Sequence, residues 1–334
     1  MNPLVSINLC CYNSERYLRE TLQSIASQTC KDWELVIVND GSTDRTEAII
    51  LEFRDRGYRV VYHYQENRGI AVSRNKAIEL SRGDYIAFID HDDVWMPDLL
   101  ARQLAAFDEK TILVYGNFIT RDMTSGKEYV PFDPGREFHE GKVTAQLVKK
   151  NFILIETAVA RADAVRRLGE LFDPNLLMAD DIDFLIRLSL TGNFRYTPEV
   201  CMIYRMHPEN VTMTRMHNYV RDLSYMIRKY RDSIDRRMLK DLARQYILTV
   251  RIDLNYAGFR VFPFFRLGFN VKHLIISFLL PFSRDRNILE VKAALMRPLR
   301  SMRSLLGRRG EASETRGAGG RDESTLRRDD KEIP

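Results

Sequence analysis

A short, nearly continuous apolar run recurs four times between Val5 and Ile89, and the longer segments between the runs carry apolar residues at helical spacing. The runs Val5 to Cys11, Leu35 to Val38, Arg59 to Tyr64 and Tyr85 to Ile89 read as strands. Glu15 to Ser27, the segment from Asp44 to about Arg56, and Ile70 to Leu80 read as helices; in the first, Leu18, Leu22 and Ile25 share one face, and Asp44 with Glu47 makes a capping-box pattern at the start of the second. Strands that are apolar on both faces must be covered on both, so the pattern predicts an α/β fold with a mainly parallel sheet between helices. Cys10 and Cys11 are neighbours on the first strand and point to opposite faces. Cys30 and Cys201 have no CxxC spacing, so the four cysteines are expected as free thiols without zinc.

Parallel strands deliver their C-terminal ends to one rim, where open α/β sheets bind ligands. Three polar motifs fall there: CYNSE after the first strand, NDGSTD after the second and FIDHDDVWMP after the fourth. Tyr12 either lies against a nucleobase or belongs to the core. Asp40 either accepts an imide N–H or makes an Asx turn. Asp90, Asp92 and Asp93 crowd three carboxylates into four residues. A hard cation, Mg²⁺ or Mn²⁺, would relieve their repulsion and leave room for water and substrate phosphates. The plain alternative is a solvated acidic turn in which Asp93 caps a helix beginning near Pro97. Arg74 either neutralises a diphosphate or pairs with a neighbouring acid. No GxGxxG follows the first strand, which disfavours an ordinary dinucleotide fold. CYNSE also differs from the Gly/Arg/Lys-rich phosphate loop expected of a nucleotidyltransferase.

The segments VSINLCCYNSERYLRETLQSIASQTCKDWELVIVNDGSTDRT, RGIAVSRNKAI and GDYIAFIDHDDVWMPDLL closely resemble the amino-terminal half of family 2 glycosyltransferases with the GT-A fold. The likeness is dense over residues 4 to 105 and looser to about 210. It implies a Rossmann-like nucleotide-diphospho-sugar transferase fold and inverting transfer of a sugar, usually with Mg²⁺ or Mn²⁺. By position, Tyr12 and Asp40 would bind the base, and Asp92, with Asp90 nearby, would sit by ribose and metal. This chain has Asn39-Asp40 where many members carry two aspartates, and it keeps the second. His91 stands in the middle of the DxD triplet and either faces solvent or touches the metal. In MADDIDFLIRLSLTG the family's acidic pair matches Asp180-Asp181, which makes Asp181 the general base; otherwise the acids simply complement a helix N-terminus. His207, a few residues after a strand, would complete the metal or diphosphate site or serve the structure. Arg205 is a comparable candidate for the diphosphate.

Thr111 to Thr120 and Ile153 to Ala160 read as further strands. RDMTSGKEYV begins a loop or hairpin reaching towards Gly141, where acceptor choice is expected. Beyond Met216 the pattern changes to long basic helices, Tyr219 to Arg231 and Ile234 to Tyr256. Residues 216 to 306 hold 18 Lys/Arg against 7 Asp/Glu, a net of +11, and residues 307 to 334 hold 7 of each. Subtracting +11 from the chain's +5 leaves −6 for residues 1 to 215. Aromatics interleaved with Arg260, Arg266, Lys272, Arg284 and Arg286 suit a segment lying on anionic lipid, or else a helical subdomain packed on the rest. The apolar run Leu274 to Phe282 is too short to span a bilayer, and no nucleic-acid module is visible.

The expected organisation is a catalytic domain over 1–215, a basic helical extension over 216–306 and a disordered tail over 307–334. With no signal peptide at its start, the chain is expected in the cytoplasm, peripheral on the inner face of the membrane. The expected activity is metal-dependent sugar transfer from a nucleotide diphosphate, most often UDP in this family, to a lipid-linked or cell-surface glycan. A non-catalytic nucleotide-sugar-binding partner is the alternative, and a nucleotidyltransferase the more distant one.

Overall fold

A computed structural model describes residues 5–129, 138–210 and 216–245. All of them belong to the first of two compact units, Met1–Arg260; the second, Val261–Pro334, lies outside the described residues. So do the expected lipid-facing segment from 259 to 284 and the tail.

The first four strands are β1 (Val5–Cys11), β2 (Trp33–Asp40), β3 (Val60–Gln65) and β4 (Tyr85–Asp90). They alternate with α1 (Leu18–Ala26), α2 (Thr46–Asp55) and α3 (Ile70–Leu80). Neighbouring strands pair in parallel in the order β3-β2-β1-β4. Adjacent strand residues go to opposite cores, as the two-residue period demands. Leu35 and Ile37 pack with α1 and α2, whereas Val36 and Val38 face α3. Cys11 and Cys10 divide in the same way.

The second half of the sheet is mixed. β5 (Val94–Trp95), α4 (Leu99–Ala105), β6 (Thr111–Asp122), β7 (Glu128–Tyr129) and α5 (Thr144–Lys149) come first. β8 (Val159–Arg161), α6 (Ala162–Arg166), α7 (Asp180–Ser189), β9 (Asn193–Met206) and α8 (Met216–Lys229) follow. β8 joins β4 antiparallel and carries the sheet on through β6 and β9 to β5. The strand expected over Ile153 to Ala160 is mostly something else. Ile155–Thr157 is a 3₁₀ turn and only Val159–Arg161 is strand, because Glu156 and Thr157 are drawn into buried polar contacts. α1 begins at Leu18 rather than Glu15, since Glu15 bridges to the next loop and accepts from the Arg45 N–H. The capping box does not form: Arg45 stands at the N-cap position of α2, Asp44 accepts from the Thr46 N–H, and Glu47 accepts from the Tyr62 hydroxyl.

α8, which opens the basic segment, packs into the fold. Leu223 and Met226, with Tyr230 and Leu242 beyond it, share the larger core with Phe172, Phe184 and Leu185. Among the described residues no helix is long and apolar enough to cross a membrane.

Candidate active site

The loops after β1 and β2 are stitched together. Asn13 adopts a left-handed backbone with φ of 48°, which an asparagine tolerates, and its side-chain oxygen accepts from the Thr43 N–H at 2.9 Å. The N–H groups of Asn13, Ser14 and Glu15 donate to Ser42 Oγ, Thr46 Oγ1 and Asp44 Oδ2. Tyr12 is left 46% exposed at the rim, so it is no core tyrosine. Asp40 is buried, and its carboxylate accepts from Gln65 Nε2 and from the Arg68 and Gly69 N–H groups at 2.7, 2.9 and 2.9 Å. It therefore anchors the loop that starts α3, leaving one of a carboxylate's roughly four acceptor directions for a base.

At the end of β4 the acids separate into different environments. Asp93 is buried and accepts from the Arg205 N–H at 3.0 Å, so it does not cap the following helix, which begins only at Leu99. Burial, with the charges of Asp92 and Asp90, pushes its carboxyl well above the ordinary range. Arg205 is buried too. Its guanidinium is taken up by the Asp92 carbonyl, the Glu20 carboxylate, the Tyr17 carbonyl and Thr21 Oγ1. Arg205 is thus a brace behind the acidic turn, its guanidinium turned to protein partners. Thr21 helps it, its hydroxyl lying 2.8 Å from the carbonyls of both His91 and Asp93.

Asp92 meets His207, whose Nε2 stands 3.1 Å from Asp92 Oδ2 while its ring stacks on Tyr17 at 4.3 Å. Asn210 Nδ2 donates to the same carboxylate oxygen at 3.1 Å. Burial alone would raise Asp92, but His207 and His91 hold its carboxyl below the ordinary range.

Arg74 joins the two acidic motifs. It is buried in α3, with Nη1 2.9 Å from Asp180 Oδ2 and Nη2 3.2 Å from Asp90 Oδ1 and 3.6 Å from Glu156 Oε1. Its guanidinium also lies over the Phe172 ring. Of the two roles read for Arg74, the structure displays ion pairing, with three acids instead of one and in the interior instead of on a helix surface. Asp180 is spent on this contact. Asp181, next in α7, is half-buried and points its Oδ1 at the Ile182 N–H at 2.8 Å. Crowding by protein, and then by the Asp180 charge, pushes its carboxyl up to about 7, against the lowering effect of Arg74. A second acidic cluster, Glu170, Asp173 and Asp183, has cation-binding spacing, but Lys229 Nζ lies 2.6, 2.7 and 3.1 Å from its three carboxylates.

The chain has known relatives. The model of the Glycosyl transferase family 2 family matches residues 6–164. An uncharacterised glycosyltransferase of Rickettsia typhi is 30% identical over 65% of this chain and 68% of its own. The chain belongs to glycosyltransferase family 2. A second member, a putative teichuronic acid biosynthesis glycosyltransferase of Bacillus subtilis, is 29% identical over 64% of this chain and 83% of its own length. Among solved structures, residues 1–349 of Staphylococcus aureus TarS in complex with UDP-GlcNAc superpose with a TM-score of 0.60 at 18% identity, covering 81% of this chain and 77% of that one. That likeness shows the GT-A fold.

For this family 2 enzyme the sequence reading found the rim but missed Glu156 and Asn210. Glu156 sits in an apolar stretch, IETAVA, that looks like strand. Only the packing of the 3₁₀ turn brings it to Arg74, and its Oε2 has no partner among the described residues. Asn210 follows His207 by three residues, and its side-chain oxygen accepts from the His207 N–H at 2.5 Å. The spacing H-x-x-N was the available signal.

The donor set suits a hard divalent cation. Octahedral Mg²⁺ or Mn²⁺, with ligands at about 2.1 Å, sets neighbouring ligand atoms about 3 Å apart. His207 Nε2 and Asp92 Oδ2, hydrogen-bonded to each other at 3.1 Å, are the groups that would hold it. Asp90 is turned to Arg74 instead.

Proposed function

We propose that this enzyme transfers a sugar, with inversion, from a nucleotide diphosphate donor to a hydroxyl of a lipid-linked or cell-surface glycan. The observation that carries this reading is the placement of Asp181, half-buried and raised to about 7, beside Asp180, which Arg74 ties to Asp90 of the acidic turn. In this reading Tyr12 stacks on the base and Asp40 offers it the remaining acceptor direction. Asp92 and His207 hold Mg²⁺ or Mn²⁺, with Asp90 near the ribose and the metal. The cation, when bound, would stabilise charge on the departing diphosphate. Arg74 orders Asp90 and Asp180 and adds positive charge behind the diphosphate.

Displacement then balances simply. The acceptor oxygen forms a bond to the anomeric carbon as the bond from that carbon to the diphosphate oxygen breaks. The acceptor proton passes to Asp181 and the electron pair leaves with the nucleoside diphosphate. Asp180 cannot share this work while it is paired with Arg74.

UDP is the proposed base carrier, supported by the UDP-GlcNAc complex of TarS, and a glycan acceptor is supported by the teichuronic acid relative. A catalytic domain over 1–215, with a basic extension over 216–306 that keeps the enzyme at the inner face of a membrane, completes the proposal. Calorimetric titration of UDP, GDP, CDP and dTDP into wild type and Asp92→Ala, with and without Mn²⁺, tests it. Metal-dependent binding of UDP that vanishes in the variant is the expected outcome; metal-independent or absent binding of all four sinks it. A non-catalytic binder would instead keep nucleotide affinity and release no sugar in wild type.

A further inference from the structure

α8 lies beyond the stretch 6–164 matched by the family model, yet it reaches the turn that leads into the acid pair. Asp222 Oδ2 accepts three consecutive backbone N–H groups, those of Leu177, Met178 and Ala179, at 2.7, 2.6 and 3.1 Å. These residues immediately precede Asp180 and Asp181. Asp222 is fully buried and its Oδ1 has no partner among the described residues, so the pairing of this carboxylate rests on that one turn. A buried carboxylate needs donors, and successive N–H groups converging on one oxygen make an anion-holding nest. α7 has no side-chain cap of its own: Ala179 stands at its N-cap position. Asp222, from another helix, holds instead the N–H of Ala179 and the two before it, so that the chain entering α7 is fixed just ahead of its first turn.

About two turns further along, the chain after Asp222 grips α7 itself. Lys229 Nζ is 3.1 Å from Asp183 Oδ2, and the Tyr230 hydroxyl donates to Asp183 Oδ1 at 2.8 Å. From the sheet side, Arg74 holds Asp180. The turn carrying Asp181 is therefore fixed before, beside and after, while the Asp181 carboxylate itself remains partly open.

We propose that Asp222 is a positioning residue for sugar transfer, clamping residues 177–179 so that Asp181 presents its carboxylate at a set place on the rim. This rests on the reading of Asp181 as the base. A displacement of about 1 Å in a reacting group can cost about 100-fold in rate, which a single buried carboxylate at the head of α7 is placed to prevent.

The test uses the full chain with Asp222→Asn, Asp222→Ala, Asp181→Asn and the double variant Asp181→Asn/Asp222→Ala. Amide exchange over residues 176–184 reads the clamp. Affinity for UDP with Mn²⁺ reads the donor side. Turnover is nucleoside diphosphate release from whichever member of a panel of UDP- and GDP-sugars wild type consumes fastest. The expected result is exchange at 177–179 at least about tenfold faster in both Asp222 variants, with UDP affinity unchanged. Turnover should fall about 10-fold in Asp222→Asn and about 100-fold in Asp222→Ala, with no further loss when Asp222→Ala is added to Asp181→Asn.

Unchanged exchange, wild-type turnover in a folded variant, or losses that multiply in the double variant would overturn it. Loss of UDP affinity in step with turnover would do the same, since that marks general damage. If Asp222→Ala does not fold, Asp222→Asn, which keeps one acceptor oxygen, carries the test. Should Asp181→Asn turn over like wild type, the base assignment falls while Asp222 remains judged by exchange alone; the same holds if wild type consumes no sugar nucleotide of the panel.

Discussion

Asp181 and Glu156 show how one buried neighbourhood gives two acids different fates. Asp181 needs its ionised form to take a proton, and with its carboxyl raised to about 7 that form appears only as the pH climbs through neutrality. Turnover should therefore rise with pH along a limb centred near 7 and flatten above it, and Asp181→Asn should lose about 100-fold or more while keeping nucleotide affinity. A rate profile with calorimetry on the variant checks both. Glu156 is raised well above its ordinary range by burial and by the Asp90 charge, against Arg74. An acid raised on folding contributes stability below its unfolded value, near 4.5, and loses it as pH rises through the folded value. Glu156→Gln should therefore raise the melting temperature at pH 8 relative to wild type and gain less at pH 5. Thermal melts at the two pH values decide it, and an equal shift at both would contradict the assignment. Neither acid's environment is legible from local sequence, because their neighbours Arg74, Asp90 and Asp180 come from three separate elements.

At the scale of elements, the rim is built by loops that bind one another more than they bind the sheet. Gly41 shows the tolerance of this stitching. Its φ is +79°, and a Cβ there would lie 2.7 Å from the Asn67 backbone nitrogen. Gly41→Ala combines left-handed strain of about 1–2 kcal/mol with a backbone clash, so it should lower stability by at least that much in denaturant unfolding and weaken UDP binding by disturbing the loop that Asp40 anchors. Arg205 is the other prop. Arg205→Ala removes hydrogen bonds to the Asp92 and Tyr17 carbonyls and should cost on the order of 2 kcal/mol, read from the same unfolding curves. The alternating pattern from β1 to β4 was legible because each element there follows from its own residues. The 3₁₀ turn at Ile155–Thr157 was not, since an apolar run with a single Glu scores as strand until its partners are known.

Across the whole molecule, charge is the long-range signal. Residues 216–306 carry +11 against −6 in residues 1–215. If this asymmetry holds the enzyme at an anionic surface, the full chain should float with phosphatidylglycerol-containing vesicles at low salt, lose that association steeply as salt approaches several hundred millimolar, and ignore neutral vesicles. Flotation at a series of salt concentrations measures it; binding indifferent to lipid charge would sink the idea. α8 adds a second point at this scale. It opens the basic segment, and its Leu223 and Met226 face the main core while Asp222 holds the turn just before the acid pair.

The sequence alone determined the α/β pattern, the shared rim of β1, β2 and β4, and the acids placed on it, because strand period, helix period and parallel pairing are local or follow from chain order. Only the tertiary structure decided what each charge does. It made Arg74 a three-acid hub, Arg205 a brace, Asp93 an interior group and Asp222 the acceptor for the turn that leads into α7. The physical reason is that a charge's role depends on its burial and its partners, and here those partners come from segments as far as 188 residues away along the chain.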